Sequence, residues 1–461
     1  MTRLPKLASL FAGTAIFASM MLSAASAETI FDAMAAAYNN NATLNASRAG
    51  ARATDEFVPI AKSALRPQVS ADLGVSATTN DDGVDIRAGS FGINIDQMIF
   101  DGFQTKNNVL SAEAQVRASQ NNLENETQNT LFDAAAAYMD VVRDRQIAAL
   151  RTKSIAFLDE QVRAARARFD VGEGTRTDVA QAEAQRAAAR AQATNAQARV
   201  KSSEAIYQQV TGSAPGKLQA AKPAGKSMPK SIASAYAIAE SNHPAVEASK
   251  AIVDSRGFGL KATEGQLLPT LSARARVESS ASNSNASTIF GGTVGYNEEN
   301  SASVSAQLRI PIYQGGRVAA QVRQGKEQLS QARIQVDATV DRVRAAVASS
   351  WASYEGAKAI LAASGEEIEA ARVALNGLVA ERDVGQRTTL DVLNGQNALV
   401  AAQINAVSAQ RDLVVASYAV LSATGSLTPQ RIGLNVKGYD PEVNYQAVKD
   451  KWHGLRTVDG R

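Results

Sequence analysis

RFDVGEGTRTDV, residues 168 to 179, returns 213 positions later as ERDVGQRTTLDV, residues 381 to 392, and this repeated turn decides the architecture. Asp170, Val171, Gly172, Thr175, Asp178 and Val179 recur without change. The same offset links Ile99 to Ile312, Gly102 to Gly315, Tyr138 to Trp351, and Thr211-Gly212 to Thr424-Gly425. Nearer the start of each copy it becomes 202, relating Arg48 to Lys250, Pro67 to Pro269 and Ser70 to Ser272, so the second copy carries 11 extra residues, as a solvent-exposed loop tip would. A period above 200 is too long for a solenoid and points to two similar halves of one architecture.

Upstream of the first turn, residues 103 to 168 run for 66 positions without Gly or Pro, with apolar residues such as Leu131, Ala135, Tyr138 and Val142 at helical spacing. A helix of that size is roughly 100 Å long and implies a coiled-coil-like assembly. The chain turns and comes back, so each copy predicts an antiparallel helical hairpin, over 103–211 and 316–424. Thr175-x-x-Asp178 and Thr388-x-x-Asp391 read as capping boxes opening the return helices, and Gly172 and Gly385 suit the turn backbone. Apart from the turns, the glycines inside the hairpins fall in the second copy, at 325, 356, 365, 377 and 395; they predict either a more pliant hairpin or closer helix packing.

Ahead of each hairpin lie two stretches of strict alternation, predicting strands over 68–78, 90–100, 270–278 and 303–313. Val69, Ala71, Leu73, Val75 and Ala77 oppose Gln68, Ser70, Asp72, Ser76 and Thr78; Val304, Ala306 and Leu308 oppose Ser303, Ser305 and Arg309. About ten residues with one apolar and one polar face suit a barrel with lipid outside and water inside, and equally a soluble sheet with one wet face. Four strands cannot close a barrel, so in a bilayer their free edges must pair with other copies, giving rings of 8, 12 or 16 strands for a dimer, trimer or tetramer.

The N-terminus adds a compartment. MTRLPK, an apolar run from Leu7 to Leu22 and SAASA ending at Ala27 have the layout of a secretory leader over residues 1–27. Later segments lack an uninterrupted apolar run long enough to cross a bilayer as a helix. The absence of cysteine excludes disulfides, thiolate metal sites and a lipid-modified Cys. Two histidines, no nucleophile–base constellation and no phosphate loop argue against an enzyme, and no cofactor is implied. Without Arg3 and Lys6 the chain holds 46 basic against 45 acidic residues, no reason to expect nucleic acid. The expected layout is a first repeat over 28–212, a linker over 213–230, a second repeat over 231–425, and a C-terminal segment over 426–461 beside the helices.

The duplicated plan, with LRIPIYQGGRVAAQVRQ (308–324) and DVGQRTTLDVLNGQNAL (383–399), closely resembles the TolC family of outer-membrane efflux factors across essentially the whole mature chain. That resemblance implies a mainly α fold with a small β part: a trimer whose 12-stranded β-barrel in the outer membrane continues into a 12-helix periplasmic α-barrel, two structural repeats per chain. It implies passive conduction for a tripartite efflux pump or a type I secretion system, with a periplasmic membrane-fusion adaptor, an inner-membrane transporter of RND or ABC type, and outer-membrane lipid as partners. A periplasmic gate is implied at Asp391, Asn394 and Arg387, with Asn394 departing from the family's second aspartate. Adaptor-contacting turns are implied at Gly172, Thr175, Asp178, Gly385 and Thr388, and lumen positions at Asp72, Asp96, Arg274, Arg276 and Arg309. Three Asp391 carboxylates near one axis should repel, raising at least one pKa or recruiting a cation. A coiled-coil fibre would not need the four strands, and an adaptor, with one hairpin, would not need the duplication.

Overall fold

The computed structural model describes residues 27–79, 81, 84–284 and 295–461. The leader, apart from Ala27, and the part of the expected loop tip over 285–294 lie outside the described residues.

The chain opens with three short helices, α1 (Ile30–Asn40), α2 (Ala42–Asp55) and α3 (Phe57–Ser63), before the strands β1 (Gln68–Thr79) and β2 (Asp85–Phe100). The first hairpin is α4 (Gln104–Asp170) and α5 (Arg176–Thr211). Helices α6 (Ile232–Asn242) and α7 (Pro244–Gly265), strands β3 (Thr270–Ser284) and β4 (Gly295–Arg309), and the second hairpin α8 (Arg317–Asp383) and α9 (Thr389–Ala423) repeat the plan. Helix α10 (Pro441–Val448) follows. The outgoing helices α4 and α8 have 67 residues each, so the repeat keeps its register through the longest elements. None of the described helices is long and apolar enough to cross a membrane.

The four strands form one antiparallel sheet in the order β1-β2-β3-β4, with β2 of the first copy bonded to β3 of the second. Ser70, Asn94, Arg276 and Ser303 stand in one row across the sheet, and Ala71, Ile93, Val277 and Ala302 in the next. Register therefore sorts polar and apolar residues onto opposite faces. The strands outrun their alternating segments: β2 starts at Asp85, β3 continues to Ser284 and β4 begins at Gly295. Main-chain bonding carries the ladder on through SSASNS and GYNEEN, where alternation of side chains gives no signal. At the other end β4 stops at Arg309, short of the expected 313, because Pro311 has no N–H to donate. The equivalent place in the first copy, between Met98 and Phe100, is where the β2–β3 register shifts.

On one side of α4 pack α1, α2 and α3, then α5; on the other pack α7, then α9, and α8 lies against α7 and α9. Short helices thus extend the hairpins toward the sheet, keeping a layer of helices from sheet to tip. The largest apolar core sits where they meet and includes Met34, Tyr38, Leu131, Tyr138, Tyr207 and Tyr418. Residues 213–231 cross this core as an irregular segment with one 3-10 turn at Gly225–Ser227, tied by Glu28 N–H to Lys217 O (2.7 Å) and Ala224 N–H to Ser417 Oγ (3.0 Å). His243 accepts the Ala245 N–H on Nδ1 (3.2 Å), a helix-starting cap ahead of Pro244. The C-terminal segment runs back along α1 to α3: Tyr439 N–H donates to Tyr38 Oη (2.8 Å), Asn444 to Asp55 (2.7 Å) and Lys62 to Asp450 (2.6 Å).

Candidate functional site

At the hairpin tips both capping boxes close. Thr175 N–H donates to Asp178 Oδ2 (3.0 Å) and Asp178 N–H to Thr175 Oγ1 (3.1 Å). In the second copy Thr388 N–H donates to Asp391 Oδ2 (3.0 Å) and Asp391 N–H to Thr388 Oγ1 (3.2 Å). Each box satisfies helix-end donors that would otherwise face water alone. Gly172 and Gly385 hold φ of 82° and 79°, the left-handed backbone that lets the chain reverse within a few residues.

The cap sets the charge state of each acid. Bonds from the Thr388 backbone and hydroxyl, helped by Arg387, hold the Asp391 carboxyl below the ordinary aspartate range. The Thr175 hydroxyl and backbone, with Arg168, do the same for Asp178. Within one protomer Asp391 is thus an ionised cap; the repulsion expected among three copies would act against this pull. Asn394 is exposed one turn along α9 from Asp391.

Arg387 bonds within its own hairpin, Nε to Glu381 Oε2 at 2.9 Å, and both side chains are about half exposed. The links between hairpins lie elsewhere. Arg382, whose side chain is 9% exposed, donates through Nη1 to buried Gln161 and pairs with Asp383 at 2.8 Å. Arg168 reaches the same Asp383 carboxylate across the hairpins at 3.2 Å. Leu393 of α9 is buried with Leu158, Val162, Ala165 and Ala182 of the first hairpin, and farther up Arg411 bonds Asp140 at 2.8 Å. Sequence reasoning missed Arg382. Its one signal is a break in the repeat, since the equivalent first-copy residue is Phe169.

The sheet carries the other group of residues. Asp72, Asp96, Arg274, Arg276 and Arg309 all fall on its polar face, Arg309 opposite Thr270 in the register. Arg274 Nε bonds Asp96 at 2.6 Å, Arg276 Nε bonds Glu278 at 3.0 Å, and Asn94 donates to Asp72. In β2 the apolar face is the barer one, with Ile93 42% and Ile95 41% exposed against 7% for Asn94, while the edge strands β1 and β4 are exposed on both faces. A soluble sheet with one wet face would cover its apolar residues, whereas Leu73, Val75 and Val304 are bare here. Among the described residues no cluster of His, Cys, Asp or Glu could hold a metal ion.

Known proteins resemble the chain in sequence and in fold. The sequence matches the family described as outer membrane efflux protein over residues 33–213 and 235–426. It is 54% identical over 439 residues to the outer membrane efflux protein BepC of Brucella suis, covering 95% of this chain and 94% of that protein. It is 25% identical over 413 residues to outer membrane protein TolC of Escherichia coli, covering 88% and 83%. The solved CmeC outer membrane channel of Campylobacter jejuni shares the fold, with a TM-score of 0.75 at 13% identity over 91% of this chain and 89% of that one.

Proposed function

Because the chain belongs to the outer membrane efflux protein family, whose members are passive exit channels of the outer membrane and not enzymes, we propose that it works as a homotrimer gated at its periplasmic hairpin tips. Three four-stranded sheets close a twelve-stranded barrel, and three pairs of hairpins line a twelve-helix tunnel. The single observation that supports this reading best is the four-stranded sheet that leaves large apolar side chains such as Leu73, Val75 and Val304 bare, with β1 and β4 as its two edges. In hydrocarbon an open edge leaves backbone groups unsatisfied at several kcal/mol each, so the edges pair with neighbouring copies.

Substrates enter from an inner-membrane transporter through an adaptor seated on the turns at Gly172, Thr175 and Asp178 and at Gly385 and Thr388. Asp391, Asn394 and Arg387 face the narrowed entrance. Asn394 brings a neutral amide to the ring, so Asp391 is the acid of these three gate positions. The barrel lumen, with Asp96 paired to Arg274 and Arg276 to Glu278, presents compensated charge and lets mixed cargo pass.

Single-channel conductance in a planar bilayer tests the reading. Small discrete conductances that rise in Arg387→Ala and lose cation preference in Asp391→Ala are expected. A folded helical protein that never inserts would sink it.

A further inference from the structure

The C-terminal segment ends beside α3 and the start of β1. Residues 449 to 461, KDKWHGLRTVDGR, carry four Lys or Arg against two Asp, with Trp452 67% exposed and Leu455 fully exposed. This stretch is fastened to the foot of the sheet. Arg66 donates to Lys451 O at 3.0 Å and lies 4.6 Å over the Trp452 ring, and Lys62 pairs with Asp450. Arg66 stands two residues before β1 and three before Val69, the first apolar-face residue of that strand, so the ring is held within about 20 Å of the start of the lipid-facing surface.

Other junctions between strands and helices mark the same level. Leu65, Phe103, Leu267 and Tyr313 are exposed at the ends of β1, β2, β3 and β4, a rim of the kind that girdles a barrel where hydrocarbon meets headgroups. Trp452 adds an indole to that rim, and aromatic rings with one polar edge prefer this depth. The charges are sorted to match. Asp459 is paired with Arg461 (2.7 Å), Asp450 with Lys62, and the Lys451 ammonium with Arg456 O (2.6 Å). The guanidinium of Arg456 then has no carboxylate partner among the described residues, and Lys449, 5.7 Å over the Tyr445 ring and next to Asp450, makes no ion pair there. Two cations beside an exposed indole and leucine, continuous with a lipid-facing sheet, complement a phospholipid surface: apolar groups for the upper acyl region, cations for phosphates.

We propose that residues 449–461 form a peripheral membrane foot, Trp452 and Leu455 entering the headgroup layer of the periplasmic leaflet and Arg456 and Lys449 meeting its phosphates. The foot rests on the barrel reading of the sheet. It ties the C-terminal segment, and through it α1 to α3, to the bilayer, so the tunnel is held to the membrane at points besides the strand ends.

The test uses the full-length protein in vesicles of phosphatidylethanolamine and phosphatidylglycerol, with Trp351→Phe leaving Trp452 as the only tryptophan. Lipids brominated near the headgroup should quench its emission several-fold more than lipids brominated deep in the chain, and Leu455→Asp with Arg456→Glu should abolish the difference. If Trp351→Phe does not fold, the spectrum of Trp452→Phe subtracted from wild type gives the same signal. Trp452 that aqueous iodide quenches freely and brominated lipid does not touch overturns the foot, as does shielding that needs another protein. Conductance measured on the same vesicles separates the two failures: channels without bromolipid quenching sink the foot alone, and no channels sink the barrel reading beneath it.

Discussion

The two hairpins have the same turn and outgoing helices of the same length, and differ in how they are braced. Ion pairs lace α4 to α5 along their length: Arg145 to Glu204, Arg166 to Glu183, and Arg186 and Arg190 to Asp159. Among the described residues no such pair joins α8 to α9 beyond the turn contact of Arg387 with Glu381. Those helices meet through apolar and small groups, Gly395 against Leu375 and Leu378. What the second hairpin has instead is attachment to the first, through Arg382, Arg168, Leu393 and Arg411. The first hairpin carries its own ion pairs and the second is tied to it, so a gate built from this pair is expected to open by moving the second.

Cutting this tie should produce the largest effect. Arg382→Ala leaves buried Gln161 without its donor, and an unsatisfied buried acceptor costs about 1–3 kcal/mol. With Arg168→Ala added, spin labels at Gln386 should gain mobility while labels at Glu173 stay as they were, and single-channel conductance should rise. Arg387→Ala alone should do less, because an exposed pair within one hairpin contributes little. Equal gains at both tips would show that neither hairpin is the fixed one.

The caps are where the hairpins agree, and acid can show whether they continue to agree in the trimer. Thr175→Ala and Thr388→Ala should each cost about 1 kcal/mol of helix-end stability. Both aspartates have folded pKa values below the unfolded one, so the cap contribution is present above the unfolded pKa and is lost as pH falls through the folded one. Both tips should therefore loosen together below about pH 4. Tip mobility followed against pH in the assembled protein gives the answer. If symmetry mates press on Asp391, its tip loosens at higher pH than that of Asp178, and coincident transitions would mean that the ring repulsion is absent.

Features that are local or periodic were legible in the sequence. The repeated turn, the capping boxes, the alternating faces and the long Gly-free helix each carry their signal within a few residues. The strand ends were not: SSASNS and GYNEEN pair through backbone, which a side-chain pattern does not report. The lean of one hairpin on the other was hidden for a different reason, because the contact of Arg382 with Gln161 depends on how two helices are set against each other. Only the repeat hinted at it. Phe169 is 46% exposed, whereas the arginine that replaces it in the second copy is almost covered.

The glycines of the second hairpin test the same contrast at its weakest point. Close packing accounts for Gly325, where an added Cβ would lie 3.0 Å from Leu260, and for Gly395, 2.8 Å from Leu378. Within one protomer it does not account for Gly356, Gly365 and Gly377, whose added Cβ atoms meet nothing within 4 Å. At these three positions alanine only removes backbone freedom, stabilising the helix by about 0.4–1 kcal/mol each. The triple alanine variant should raise thermal stability slightly and lower the rate of opening in single-channel records. Unchanged opening with raised stability would mean that α8 moves as a rigid rod about the turn and the lean, and pliancy would then belong to the links between hairpins alone.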